Sequence, residues 1–400
     1  MFKLEEYTEV MSKCSHCGYC QAVCPVYRED LLETHVARAR VKLIRAALMD
    51  KTVPVTPRVK DIINRCLLCT SCTQSCPSGV PGDEIITAAR IELSKDSGAA
   101  GAVKKFVLRK VLNQRGLAGV LGKAGSIAQK LNLGPKDMPT LASKAFDKMY
   151  EGTIPAKGEK KARVAYFIGC GTNFLYPDTG EAVVKVLTHN GFEVVIPKGI
   201  VCCGIPALAE GDFEGAQESV KTNIEILSGL DVDAIITDCT SCGMAFRAKA
   251  LKMFPADDPF LAKVVGVALK MSEVTDYLTS QGLTIPPGAL PKKVTYHVPC
   301  HRGWAPTVVD APRKLVADIP EAQMVEMEKP DDCCGAAGTF YLEYRDLAES
   351  IRSHKLEDIR ASEADTLITQ CPVCRFYLSA QLKDIDVLHP IGLLAKSYGL

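Results

Sequence analysis

Aromatic residues are scarce, only 6% of the 400-residue chain with a single tryptophan. So small a supply argues against base-stacking platforms for nucleic acid. Neither sign of charge is in excess, with 48 Lys+Arg against 47 Asp+Glu and a net charge of +1. That excludes a whole-protein role in gripping phosphate backbones, so no nucleic-acid partner is expected. No apolar run approaches the roughly 18 residues of a membrane span. The opening MFKLEEYTEV has neither the apolar stretch nor the twin arginine of an export signal, so a cytoplasmic location is expected. No G-x-G-x-x-G follows a strand-like run, so a flavin or nicotinamide fingerprint is missing as well. With 47% hydrophobic and 24% charged residues the chain is an ordinary globular one, long enough for two or three units.

Cysteine is abundant instead, at 18 residues. In a reducing compartment disulfides rarely persist, and cysteines in number point to metal–sulfur sites. They form four groups with none left over. Cys14, Cys17, Cys20 and Cys24 precede Pro25. Cys66, Cys69, Cys72 and Cys76 precede Pro77, each 52 residues after its counterpart. The third group is Cys170, Cys202, Cys203, Cys239 and Cys242. The fourth is Cys300, Cys333, Cys334, Cys371 and Cys374, at offsets of 130, 131, 131, 132 and 132. Two internal duplications are thus visible from spacing alone.

The segments around these groups predict an α+β, multidomain chain. Residues 1–97 read as a small helical domain: 36–50 and 82–93 have helical spacing, Pro57 opens a short helix to Asn64, and nothing alternates like a strand. Residues 98–163 hold no cysteine and carry fourteen Lys/Arg against four Asp/Glu. Here VKKFVLRKVL sets Val103, Phe106, Val107 and Val111 on one side, with Lys104, Lys105, Arg109 and Lys110 around the rest. It reads as a helical connector, with an alternative as a surface meeting anionic lipid or an acidic partner. Residues 164–290 and 291–400 read as two copies of an α/β unit. VAYFIG, EVVIP and AIITD lead to the cysteines of the first copy; VTYHVP, MVEM and TLIT lead to those of the second. Strands alternating with helices predict parallel βαβ units with ligands at the strands' carboxyl ends.

Two C-x2-C-x2-C-x3-C-P runs suit two [4Fe–4S] cubanes in which the fourth cysteine serves the other cluster. Cys14, Cys17, Cys20 and Cys76 would hold one, and Cys66, Cys69, Cys72 and Cys24 the other. In the α/β copies, adjacent cysteines cannot both face one site from a regular strand. Gly204 and Gly335 follow them and supply the tight turn that is needed. Five thiolates per unit leave open a spare thiol or a cluster of higher nuclearity. His297 and His301 flank Cys300 and are candidates to donate protons or to hydrogen-bond a cluster sulfur. Lys13, Arg65 and Arg375 adjoin cysteines and are candidates to offset cluster charge.

CX31CCX35CXXC at 170–242 and CX32CCX36CXXC at 300–374 closely resemble the paired CCG domains of heterodisulfide reductases and their relatives. FIGC (167–170), CCGIPA (202–207), YHVPCH (296–301) and CCGAAG (333–338) resemble that family's local signatures. With the ferredoxin-like domain in front, and RCLLCTSCTQSCPSGV at 65–80, the chain is similar to the iron–sulfur subunit of glycolate or lactate dehydrogenases. The resemblance covers all but 98–163. It implies a noncubane four-iron cluster in one or both CCG sites, with zinc an alternative in the first. Val298, where relatives often have an acid, and Arg302 depart from the pattern. The resemblance further implies an iron–sulfur subunit of an oxidoreductase complex, a hetero-oligomer. It would relay electrons from an FAD-linked 2-hydroxy acid dehydrogenase to a quinone or another acceptor, in the cytoplasm or peripherally on the inner face of the membrane. The alternative is a heterodisulfide-reductase-type catalytic subunit, in which Cys333, Cys334 and His301 would do the chemistry.

Overall fold

A computed structural model describes residues 2–96, 98–113, 115–116 and 140–400. Residues 2–96 contain helices and turns and no strand. The longest helices there are Ala37–Ile44, continued by a wider turn Arg45–Met49, then Pro57–Asn64 and Gly82–Lys95. Proline begins the helix Pro57–Asn64, where its missing N–H costs nothing, and the Thr56 hydroxyl accepts from the Val59 N–H.

The rest is built on two sheets. The first comprises β1 (Gly152–Ile154), β2 (Ala162–Tyr166), β3 (Phe192–Ile196), β4 (Ala234–Thr237) and β5 (Met271–Glu273), in the order β1-β3-β2-β4-β5. Only β1 is antiparallel. The second comprises β6 (Lys292–Tyr296), β7 (Ala322–Met324), β8 (Thr366–Ile368) and β9 (Asp386–Leu388), in the order β7-β6-β8-β9, all parallel. Setting β1 aside, the two orders superimpose, as duplication requires. Central strands such as β4 are buried on both faces, which is why they read as continuous apolar runs. The fold is therefore an α-helical ferredoxin-like unit followed by two duplicated α/β units.

Several expectations need correction. The stretch 98–163 is not wholly a helical connector. It contains the helix Gly98–Asn113, but also β1 and the first two residues of β2. Three residues at a sheet edge carry too little pattern to announce β1. MVEM was expected as a strand, yet β7 ends at Met324, and β5 and β9 are equally short. On the helix Gly98–Asn113 the apolar Val103 and Phe106 are exposed. Its cations are partly engaged inside the chain: Arg109 pairs with Asp212 and Glu214, and Lys105 donates to the Ser94 carbonyl. The side chains of Lys104, Val107 and Val111, and residues 117–139, lie outside the described residues. No helix among the described residues is long and apolar enough to cross a membrane.

The units share cores. Val26, Leu67 and Cys69 pack in one cluster with Cys334, Cys371 and Cys374, while Tyr166 and Val194 of the first sheet join Val294, Tyr296 and Ile368 of the second. Between the helical unit and the first α/β unit lies a buried ion-pair network. Lys249 Nζ stands 2.6 Å from Asp83 Oδ2 and 3.3 Å from Glu84 Oε1, and Lys252 also reaches Glu84.

Candidate metal centres

All eighteen cysteines are free thiols. In the helical unit Cys20 and Cys72 lie in the short helical turns Tyr19–Ala22 and Ser71–Gln74, Cys24 caps the helix Pro25–Asp30, and the others lie in loops. Cys24 lines a small cavity of about 20 Å³ together with Cys66, Cys69 and Cys72. The structure thus brings the fourth cysteine of the first run to the first three of the second. Burial pushes the Cys24 and Cys72 thiols up, and burial followed by the proximity of Cys300 pushes Cys69 up to about 12. Thiols that resist ionisation in this way become thiolates when a metal replaces their protons. Cys14, Cys17 and Cys20 form a second group, with Cys17 exposed. A contact of 3.4 Å between Ser15 Oγ and Ser78 Oγ holds the loop after Cys76 against them.

In each α/β unit the five cysteines stand beyond the carboxyl ends of the two central strands. Cys170 and Cys239 follow β2 and β4; Cys300 and Cys371 follow β6 and β8. The paired cysteines turn through Gly204 (φ +91°) and Gly335 (φ +87°). A Cβ at these positions would stand 2.9 Å from the Ala216 oxygen and 2.6 Å from the Ala348 oxygen. Gly335→Ala is therefore expected to displace Cys333 and Cys334 and to lower metal retention in the second unit alone. Metal analysis alongside Gly338→Ala, where a Cβ meets nothing within 4 Å at a similarly positive φ, separates crowding from backbone strain.

The ten thiols of the two units form one row. Contacts run Cys170–Cys202–Cys203–Cys242–Cys239, cross to Cys371, and continue Cys374–Cys334–Cys333–Cys300. The second half repeats the first in reverse, so the pseudo-twofold axis passes between Cys239 and Cys371. The Cys300 end abuts the helical unit. Thr70 Oγ1 donates to the Cys300 oxygen at 2.9 Å, and Gln74 Nε2 donates to it at 3.1 Å.

His301 does not aim at sulfur. Its Nε2 meets the Leu68 carbonyl at 3.2 Å and its Nδ1 meets Ser241 Oγ at 2.9 Å. It is a strut joining three cysteine loops, and both ring nitrogens are occupied. His297, by contrast, is buried against Cys334 and Cys374. The basic neighbours singled out in the sequence are engaged elsewhere: Lys13 with Glu9, Arg65 with Asp61, Arg375 with Asp178 and Thr179. Arg302 pairs with Asp331, and Val298 is buried in apolar surroundings.

Arginines from other segments stand beside the thiols, and adjacency in sequence gave no sign of them. Arg38 sits beside Cys14 and Cys20. Arg40, 1% exposed, lines the Cys24 cavity, and its Nη2 has no hydrogen-bond partner. Arg115 stands near Cys170 and Cys202 and donates to the Ile168 carbonyl at 2.7 Å. Guanidiniums facing thiols, that of Arg40 fully buried, suit centres that carry negative charge when loaded. The four groups, with their sulfur spacing and these cations, fit iron–sulfur clusters.

A groove of about 700 Å³ opens between the helical unit and the second α/β unit. Arg28, Gln74, Arg302, Asp331 and Lys355 line it, and it reaches Cys333.

Residues 10–80 match the 4Fe-4S dicluster domain, and residues 164–247 and 294–379 each match the cysteine-rich CCG domain. The chain is 28% identical to one of the subunits of the CoM/CoB fumarate reductase of Methanothermobacter marburgensis, over 99% of this chain and 74% of that one. It is 29% identical to a probable glycolate oxidase iron-sulfur subunit of Bacillus subtilis, over 96% of this chain and 94% of that one. Lactate utilization protein A 2 of Bacillus cereus is 30% identical over 58% of this chain and 98% of its own length.

Proposed function

The chain belongs to the CCG-domain iron–sulfur proteins, and on that premise we propose that it is the electron-relaying subunit of a flavoprotein 2-hydroxy acid dehydrogenase of glycolate or lactate type. The observation that carries this reading is the continuity of the cysteine groups. An exposed group at Cys17 is followed by the Cys24–Cys66–Cys69–Cys72 cavity, then by Cys300 and the unbroken row to Cys170. In this reading the first two groups hold cubanes with exchanged fourth cysteines, and each CCG site holds a noncubane four-iron cluster. Such clusters supply one-electron storage. The chain's own residues fix the spacing: Thr70, Gln74 and His301 bolt the Cys300 loop to the helical unit, and Arg38, Arg40 and Arg115 offset charge. The partner contributes the flavin, and a quinone or another carrier takes the electrons.

Anaerobically purified protein is expected to contain about 16 irons per chain. About 12 irons and one zinc would overturn the symmetric assignment in favour of zinc in one CCG unit. Isolated chain should not oxidise a 2-hydroxy acid, and its clusters should become reduced only when the flavoprotein and substrate are added. Substrate oxidation by the chain alone would overturn the relay.

The groove that reaches Cys333 favours a second reading, a catalytic subunit that reduces a disulfide. Reduced chain offered a thiol heterodisulfide would then turn it over rapidly, and Cys333→Ala or Cys334→Ala would abolish turnover. Quinone reduction only in the assembled complex supports the relay.

A further inference from the structure

The two α/β copies differ in the segment that leads from the first central strand to its cysteine. Tyr166-Phe167-Ile168-Gly169-Cys170 in the first corresponds to Tyr296-His297-Val298-Pro299-Cys300 in the second. Phe167 is fully buried in the core cluster that also holds Cys202, Cys203, Cys239 and Cys242, and it meets Phe246 edge-on, with ring centroids 4.8 Å apart. His297 is 1% exposed in the equivalent place, and its ring nitrogens meet no oxygen or nitrogen partner, only the Cys334 thiol. Burying a polar ring without a strong hydrogen-bond partner is costly. A histidine that only filled space would be a poor replacement for the phenyl ring.

Sulfur faces this imidazole. A ring nitrogen of His297 and the Sγ atoms of Cys334 and Cys374 all lie within 4.8 Å of one another, and the two sulfurs are 3.3 Å apart. Donors about 2.0–2.3 Å from a shared ion keep separations of this size. A metal-bound imidazole needs a partner for its other nitrogen. Two buried hydroxyls without partners, Thr295 and Thr369, are at hand. Thr295 lies on β6 two residues before His297, which follows the strand directly and donates its backbone N–H to the Ile368 carbonyl at 3.0 Å. Thr369 lies one step beyond the Tyr296↔Ile368 pair, across from His297. In the first copy Ala165 replaces Thr295, and Thr237, the counterpart of Thr369, already accepts from the Cys239 N–H.

We propose that His297 is a metal ligand of the second CCG site and shares an iron with Cys334 and Cys374. The two copies then hold chemically different centres, one all-thiolate and one with an added imidazole. This rests on the reading of the second site as an iron centre. A neutral imidazole at this position adds no negative charge, whereas a further thiolate there would lower the potential of the centre.

The test is pulsed EPR of the reduced full-length protein, with 14N- or 15N-labelled histidine, beside its iron count. The expected result is a strong coupling from an iron-bound nitrogen that changes with the isotope and vanishes in His297→Phe. The midpoint potential of the same centre should fall in His297→Cys. The isotope comparison needs no variant, so poor folding of His297→Phe leaves it intact. Full iron loading with only weak nitrogen couplings, those of hydrogen-bonded groups, overturns the ligand and leaves the four-cluster reading standing. A second site that takes up no iron overturns both, and the iron count reports that separately.

Discussion

Exchange of Cys24 for serine is expected to erase the EPR signature of the centre built on Cys66, Cys69 and Cys72, and to leave that of the Cys14 group. The reason is spatial. Cys24 ends the first cysteine run, yet its thiol lines the same cavity as the first three cysteines of the second run. Arg40 faces that cavity with an unpartnered nitrogen. A cubane that loses one of four thiolates loses an iron or collapses, and here the loss would fall 42 residues downstream of the substitution. Iron content should drop by up to about four per chain. Because the Cys66–Cys72 loop also abuts Cys300, the variant should stop reduction of both CCG centres by a donor that enters at the exposed Cys17 group. Loss of the Cys14 signal instead, with the Cys66 signal intact, would refute the exchanged arrangement.

Much of this was readable from spacing because cysteine ligands repeat at fixed intervals and duplication leaves the intervals nearly unchanged. The turn glycines were readable for the same reason: two adjacent thiols on one site demand a positive φ, and Gly204 and Gly335 have it. The palindromic row was not readable. It depends on two sheets meeting so that Cys239 touches Cys371, a contact made by tertiary packing across 132 residues. Charge compensation was misjudged for a related reason. Adjacency in the chain singled out Lys13, Arg65 and Arg375, but a side chain beside a cysteine in sequence often projects away from its sulfur. Arg40 and Arg115 reach the thiols from other segments. His297 and His301 looked alike in the sequence, one on each side of Cys300. Their difference lies in what the fold offers each ring: oxygen partners for His301, sulfur for His297.

Removing the ammonium of Lys249 is expected to cost about 3–5 kcal/mol of stability, the usual penalty for leaving a buried charge unpaired. Lys249 and Asp83 are both nearly inaccessible, and Lys249 also touches Glu84. Burial alone would raise the Asp83 carboxyl, but the Lys249 ammonium overrides it and holds that carboxyl below the usual range. Burial likewise opposes the Lys249 charge, and Asp83 and Glu84 hold its pKa above the ordinary lysine value. The signs give a window. The depressed carboxylate contributes stability that is present above the unfolded carboxylate pKa and lost as pH falls through the folded value. The raised lysine contributes stability that is present below its unfolded pKa and lost as pH rises through the folded value. Across neutral pH the penalty in Lys249→Ala should therefore be flat, and it should shrink in acid as Asp83 protonates. Because Thr73 ties Asp83 to the loop between Cys72 and Cys76, the damage should extend to the adjacent centre. Denaturant unfolding of the metal-loaded protein checks the magnitude. Asp83→Asn added to Lys249→Ala should restore part of it, since the uncompensated charge is then gone. If the double variant is less stable than Lys249→Ala alone, the buried carboxylate is held by something other than Lys249, and this account of the interface fails.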